Sequence, residues 1–493
     1  MYQGANIIGD ERQGPTAASA IEVIDPSTEA VIGTIPDASP AEVDAAVGAA
    51  RRALPKWAAM PAQDRAELVK DGVERFIQTP GLLDLLISDT GHPRRVAELF
   101  HVHGPRLWTM QLADAATELL SVDRVVEETL TGRSQVQYAP FGVIGVLTPF
   151  NAPTPLTVWK AVPALVLGNT IVAKPSPLAP FAVDRFYAAL VEAGVPAGVV
   201  NLVHGDVGAA QALVAHPGVD KVTFTGSTAV GSAVMAAAAP NLTPVVLELG
   251  GKSAAVALPD ADLELTVQAV ASSCFTLSGQ ICGALTRLLV PREQSDAYCA
   301  RLAELAGAIV VGDPQDVGAD NGPVISAAQL ANIERLVSTA LSEGAELVVG
   351  GQRADVNGRG FYFQPTVLRN VTNQSTIART EVFGPVLAVI AYDSVEEAVQ
   401  MANDSEYGLV AGVFSADQVA ARAVAERLEV GTVWINDSSV TLASAPFGGT
   451  KSSGIGREMG EVGLLEFVQP RHVYTAQGLD VANRNYRMIG SRW

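Results

Sequence analysis

The sequence predicts an α/β protein of at least two domains, the first built on a parallel sheet covered by helices on both faces. Three observations carry this. The chain has 493 residues, more than the ~250 to 300 at which a single core stops growing. Between 143 and 249, short β-branched runs alternate with Ala-rich helical stretches. From about 251 to 450 strand and helix patterns mix again, as in a second α/β domain.

The opening stretch, to about residue 120, reads as mostly helical. Ser39-Pro40-Ala41-Glu42 offers an N-cap, a first-turn proline and a capping-box glutamate, and Val43, Ala46, Val47 and Ala50 then share one helical face. Between about 121 and 140 the pattern turns to alternation, as in Gln135-Val136-Gln137-Tyr138, predicting extended strands outside the main sheet. A second such arm runs from Arg471 to Thr475. Isolated two-sided strands are unstable, so both arms are expected to pair with a neighbouring subunit.

The runs Val143–Leu147, Thr170–Ala173, Val199–Val203, Val222–Phe224 and Val245–Leu247 are apolar on both faces, the mark of buried parallel strands. Ligands of such sheets bind at the carboxyl ends of the strands. The tail from Leu479 to Trp493, with Tyr486, Met488, Ile489 and Trp493, is expected to dock rather than dangle, one hypothesis for its place being the substrate entrance of a neighbouring subunit.

Apolar residues make up 48% of the chain and charged ones 17%, which fits a globular enzyme and excludes a disordered or collagen-like class. A net charge of −19 opposes binding to nucleic acid and to anionic membranes, so the expected partner is a small molecule. The N-terminus lacks a basic segment followed by an apolar run, and no stretch is long and apolar enough to span a bilayer, so a cytoplasmic location is expected. Cys274, Cys282 and Cys299 are too few for a disulfide framework and are read as reduced thiols.

Candidate chemistry gathers at strand ends. In Phe224-Thr225-Gly226-Ser227-Thr228-Ala229-Val230-Gly231, Gly226 permits a sharp turn and Gly231 close helix packing, while the helix-start amides suit a phosphate. The same stretch is equally an ordinary strand-to-helix corner, and it is not GxGxxG. Lys174, in Ala173-Lys174-Pro175-Ser176, could meet ribose hydroxyls or a phosphate, or be a solvated charge. Cys282 follows Gly279-Gln280-Ile281, where glycine lets the backbone approach a substrate; a thiol needs a local base, dipole or cationic ring to become a nucleophile. Glu248 closes an apolar strand before Gly250-Gly251 and is either a buried general base or a carboxylate paired with an arginine. Asn151 follows Thr148-Pro149-Phe150 and could donate to an oxyanion or shape a turn. His101-Val102-His103 lacks a third ligand at useful spacing, so no metal is expected.

Together these stretches resemble the aldehyde dehydrogenase superfamily. The resemblance runs from about residue 20 to about 475. It rests on Pro149-Phe150-Asn151, Lys174-Pro175-Ser176, Phe224-Thr225-Gly226-Ser227, Leu247-Glu248-Leu249-Gly250-Gly251-Lys252, Gly279-Gln280-Ile281-Cys282, Glu381-Val382-Phe383-Gly384-Pro385, and Pro446-Phe447-Gly448-Gly449 before Lys451-Ser452-Ser453-Gly454. Glu248 and Cys282 stand 34 positions apart, an interval that family uses.

The resemblance implies a Rossmann-type cofactor domain (1–120 and 141–250), an α/β catalytic domain (251–450) and an oligomerisation arm with tail (121–140 and 466–493), in a homodimer or homotetramer. It implies oxidation of an aldehyde to an acid with NAD(P)+ and water. Cys282 would be the nucleophile, Asn151 with the Cys282 amide the oxyanion hole, Glu248 the deacylating base and Lys160 part of a proton relay. Lys174 would contact the adenosine ribose, Ser227 the pyrophosphate between Gly226 and Gly231, and Glu381 with Phe383 the nicotinamide ribose. Phe150, Ser176, Thr225 and Leu249 complete the implied cofactor set.

Departures from the family pattern narrow these expectations. NAD-preferring members often carry a Glu three positions beyond the lysine, whereas this chain has Pro177; NAD is expected and NADP admitted. Leu277 replaces an Asn common before the Gly-Gln pair, and Thr380 a Glu before Glu-x-Phe. Ala152, Leu156, Trp159, Ile281, Gly283, Phe447 and the stretch 437–445 occupy tunnel positions and are mainly apolar, pointing to aromatic or medium-chain aldehydes. A coenzyme A-acylating enzyme would typically lack Glu248, and a catalytically silent member would be expected to have lost Cys282, Glu248 or Asn151.

Overall fold

The computed structural model describes residues 1–17, 19–122 and 124–478. The tail from Leu479 onward, expected to dock, lies outside the described residues.

The first sheet has eight strands in the order Gly454–Ile455, Val245–Glu248, Lys221–Thr225, Val143–Thr148, Thr170–Pro175, Val200–Leu202, Asn6–Ile8, Glu11–Gln13. The five expected runs form its parallel centre, and the three strands at its edges are antiparallel. From Val143–Thr148 the chain winds outward through Thr170–Pro175 and Val200–Leu202, then returns to lay Lys221–Thr225 on the other side. The strand order therefore reverses between Val143–Thr148 and Lys221–Thr225, and a crevice opens there at the carboxyl ends. Helix Pro153–Val166, buried at every position, packs on the sheet from this point. Burial of this kind requires Lys160, at its centre, to find a partner inside the protein.

The second sheet runs Glu346–Val349, Thr366–Arg369, Val386–Tyr392, Leu285–Pro291, Ser253–Ala257, Val410–Phe414, Thr432–Ile435, parallel except for the first. A segment near the end stitches the two sheets: Thr450–Lys451 pairs with Tyr407–Gly408, and Gly454–Ile455 then completes the first sheet beside Val245–Glu248.

The capping box forms as expected: Ser39 caps Pro40–Ala59, with Glu42 N donating to Ser39 Oγ at 3.3 Å and Ser39 N to Glu42 Oε2 at 2.8 Å. The opening stretch is mostly helical, as expected, but five short strands precede the first helix, Val31–Pro36 lying between Tyr2–Gln3 and Ala20–Ile24. They are too short, and too often broken by Gly, Pro and Asp, for alternation to show. The two arms pair first with each other: Val468–Ala476 runs antiparallel along Gly132–Pro140, which pairs on its other side with Arg124–Thr129. Three strands supply the mutual hydrogen bonds that two separate strands would lack. Among the described residues no helix is long and apolar enough to cross a membrane.

Candidate active site

Each side of the crevice delivers one group. The strand Val143–Thr148 ends at Phe150-Asn151, and Asn151 is buried with Nδ2 donating to the Gln280 carbonyl at 2.8 Å. Phe150 meets Phe383 edge to face, the ring centroids 5.8 Å apart. On the opposite side, helix Leu263–Phe275 passes through the turn Thr276–Gly279 to Cys282, which is half-buried. Gln280 fixes this turn from both ends of its amide: Oε1 accepts from Ile325 N at 3.0 Å, and Nε2 donates to Leu277 O at 3.3 Å.

Glu248 is the last residue of its strand, paired in register with Gly454. Its carboxylate is buried and neither oxygen has a hydrogen-bond partner among the described residues. Burial pushes its pKa well above the carboxylate range; the Glu458 charge adds to this, while Lys160 and Arg457 oppose it. The arginine pairing left open by the sequence does not form: Arg457 bonds the Gly449 and Gly456 carbonyls at 2.8 and 2.7 Å. Gly448 makes room for the carboxylate, since a Cβ there would stand 2.5 Å from Glu248 Oε1.

Lys160 finds its partners in Thr225, whose Oγ1 accepts at 2.7 Å, and in an ion pair with Glu458, both charges wholly buried. Glu458 was not among the residues read from the sequence. The signal for it is indirect: a lysine in the middle of an apolar helix needs a buried acid, and Glu458 lies in the glycine-punctuated run just after the Lys451-Ser452-Ser453-Gly454 motif.

The Cys282 thiol is pushed up to about 12, first by burial and then by the charges of Glu381 and Glu248, against one favourable hydrogen bond from the Gly283 amide. The thiol, Glu248, Glu381 and Glu458 thus share one electrostatic environment. Glu381 accepts from Gly251 N at 3.0 Å, and its pKa is raised to about 7 by burial, opposed by that amide and by Lys252. Phe383 adopts a left-handed backbone with φ 54°.

Along the rest of the crevice, Lys174 is buried rather than solvated, its Nζ contacting Pro175 O at 3.3 Å. Burial lowers its pKa to about 8, partly offset by Asp206 and Asp37. Ser176 is half-buried, its amide donating to Thr148 O at 2.9 Å and its Oγ accepting from Leu178 N at 3.2 Å. Ser227 caps helix Thr228–Ala238, its Oγ accepting from Val230 N at 3.4 Å. The helix sits low on the sheet because Gly231 has no side chain: a Cβ would lie 2.5 Å from Leu249 Cδ2. Leu249 is therefore a buried support under the helix, while Gly226 and Ser227 face the crevice end of the strand.

An aromatic wall stands beside the thiol and amide. Trp159 packs edge-on to Phe447 at 5.7 Å and to Trp108 at 5.3 Å, and Trp108 meets Phe100 at 6.2 Å. Ala152 and Leu156 are buried in the same cluster. Trp108 and Phe100 come from the helical region before the parallel centre of the first sheet and were not anticipated. His101 is a buried residue, bonded to His92 at 2.8 Å and to Thr154 at 3.0 Å, and His103 is exposed.

Comparison with known proteins places the chain in a family. A family model described as the aldehyde dehydrogenase family matches residues 14–473. The chloroplastic betaine aldehyde dehydrogenase of Beta vulgaris is 39% identical over 483 residues, 94% of this chain and 95% of that protein. The geranial dehydrogenase of Castellaniella defragrans is 39% identical over 473 residues, 95% and 98%. Among solved structures, the NAD+ complex of aldehyde dehydrogenase from Bacillus cereus matches with a TM-score of 0.93 at 34% identity, covering 96% of this chain and 97% of that one. A doubly wound sheet with a crevice at the strand-order reversal is an architecture that binds dinucleotides in many proteins. The chain belongs to the aldehyde dehydrogenase family, whose members oxidise an aldehyde to the carboxylic acid with NAD(P)+.

Proposed function

We propose that the enzyme follows the hydrolytic route, with Cys282 as nucleophile and Glu248 as the base that releases the acid. The observation that carries this reading is the Glu248 carboxylate, buried, unpartnered and raised in pKa beside the thiol. A carboxylate whose proton affinity is raised by burial suits the base that deacylation by water requires.

Cys282 Sγ attacks the aldehyde carbon. An amide nitrogen carries two hydrogens, and Asn151 commits one to Gln280 O, so the other serves the oxyanion together with the Cys282 backbone N–H. Bound NAD(P)+ supplies the hydride acceptor and a cationic ring that favours the thiolate. Glu248 then takes a proton from the water that attacks the Cys282 thioester, and Lys160 with Glu458 forms the polar route by which that proton leaves.

The residues fit a dinucleotide. Lys174 and Ser176 would hold the adenosine ribose, and Ser227 with the amides after Gly226 the pyrophosphate. Glu381, Phe383 and Phe150 would hold the nicotinamide end, with Thr225 and Leu249 forming the floor. Gly250 has no room for a Cβ, which would meet Glu381 Oε2 at 2.2 Å, so this carboxylate is held tightly against the loop. NAD is favoured; Pro177 leaves the 2′-phosphate of NADP without a repelling carboxylate.

The domain roles follow: 1–120 and 141–250 hold the cofactor, 251–450 carries the nucleophile, and 121–140 with 466–493 associates subunits. Support for association is the exposure of Val126, Leu130 and Tyr474 on the three-stranded arm. The free thiols Cys274, Cys282 and Cys299 support a reducing, cytoplasmic setting. The wall of Trp108, Trp159 and Phe447 favours uncharged aromatic or medium-chain aldehydes. A second reading, a trimethylammonium or amino aldehyde held against these rings, is favoured by the names of relatives such as the Beta vulgaris enzyme.

The test is reduced-nicotinamide formation over a panel containing benzaldehyde, octanal and betaine aldehyde, with NAD and NADP separately and without coenzyme A. Wild-type turnover, none with Cys282→Ala and a single burst with Glu248→Gln are expected. A strict requirement for coenzyme A, or turnover that survives loss of Cys282, would overturn the assignment.

A further inference from the structure

Between helix Leu263–Phe275 and Cys282 the chain reverses through three consecutive left-handed residues, Leu277, Ser278 and Gly279, with φ of 53°, 54° and 73°. Glycine takes this conformation freely. A residue with a Cβ is strained in it, and asparagine enters it more readily than leucine does. A buried leucine stays there only where its surroundings over-determine it.

The surroundings do so from three sides. The Leu277 carbonyl accepts both the backbone amide of Gln280, at 3.1 Å, and its side-chain amide, at 3.3 Å. Ser278 Oγ donates to the Gly322 carbonyl at 2.7 Å. Gly279 lies flat on the Gly384-Pro385 backbone, where a Cβ would stand 2.1 Å from the Gly384 carbonyl carbon. The turn then presents the Gln280 carbonyl to Asn151 and sets the direction of the Cys282 amide two residues on.

We propose that Leu277 is a positioning residue whose left-handed backbone, rather than the packing of its side chain, fixes Cys282 and the Gln280 carbonyl opposite Asn151. This rests on the reading of Cys282 as nucleophile. It treats the leucine as a strained occupant of a position whose backbone suits asparagine or glycine.

Packing and backbone readings rank substitutions in opposite orders. Leu277→Ile keeps the apolar volume but places a β-branched residue where φ is positive; Leu277→Asn and Leu277→Gly sacrifice packing and suit the backbone. The measurement is the pre-steady-state burst of reduced nicotinamide, beside the KM for NAD, the alkylation rate of Cys282 by iodoacetamide and the thermal midpoint. Expected are a burst within about twofold of wild type for Asn, and one slower by on the order of tenfold for Ile, with KM for NAD unmoved in both. If Ile fails to fold, the Gly variant decides: a retained burst supports the backbone role and a lost one overturns it. A wild-type burst in Ile, or an equal loss in Ile and Asn, would also overturn it. A wild-type burst in Cys282→Ala would instead remove the reading on which it rests.

Discussion

Asn151 Nδ2 donates to the backbone carbonyl of Gln280 across 2.8 Å, so a side chain at the end of one sheet is tied to the loop carrying the thiol of the other. This bond holds the amide in one orientation, and on the proposed reading such alignment in advance is what makes an oxyanion donor effective.

Replacing Asn151 with Ala removes both the donor and the tie. The rate of the burst is expected to fall by about 10²–10³, the usual cost of losing one such donor, with little change in KM for NAD. A stopped-flow trace of reduced nicotinamide checks it, and a fall of less than threefold would show that the oxyanion is held elsewhere.

The pH dependence of deacylation follows from the charges around Glu248. Lys160 favours its ionised form and Glu458 opposes it. Lys160→Met should therefore move the rising limb of the kcat profile to higher pH, and Glu458→Gln to lower pH. Lys160→Met also leaves a buried carboxylate without its counter-ion and should cost about 3–5 kcal/mol of stability, read by denaturant titration. Limbs that move in the same direction would refute the charge assignment.

With its thiol pushed up to about 12, Cys282 of the cofactor-free enzyme is almost wholly protonated at neutral pH. Its alkylation by iodoacetamide should rise about tenfold per pH unit between pH 7 and 9, as the thiolate fraction does. Glu381→Gln removes a neighbouring negative charge and should speed the reaction at pH 8.5. A pH-independent rate would mean that the thiol is already ionised.

The arm offers two outer strands, Arg124–Thr129 and Val468–Ala476, with Val126 and Tyr474 exposed. Lysine on an edge strand blocks pairing with another chain. Val126→Lys with Tyr474→Lys should reduce the sedimentation coefficient to that of a monomer while circular dichroism is retained. An unchanged coefficient would place subunit contacts elsewhere.

The parallel centre of the first sheet was legible because burial on both faces leaves unbroken apolar runs such as Val143–Leu147. Cys282, Glu248 and Asn151 were legible because glycine and proline around them mark turns at strand ends. The structure brings these residues to one site. Glu458 was not legible, since its meaning depends on Lys160, 298 positions away in sequence. Nor was the aromatic wall complete: Trp108 reaches Trp159 only through helix packing, which no local pattern encodes. The arms were read as strands, but their pairing with each other was missed, because alternation identifies a strand and says nothing of which strand lies beside it.

Gly454–Ile455 closes the first sheet on the strand that ends in Glu248, more than two hundred residues after that strand is made. Contacts so distant in sequence form late, because the loop between them must first be drawn together. During synthesis the cofactor sheet waits with an open edge, and the pocket around Glu248 has no roof until the Gly448 segment arrives. A nascent chain can thus acquire its thiol long before it acquires a sheltered base.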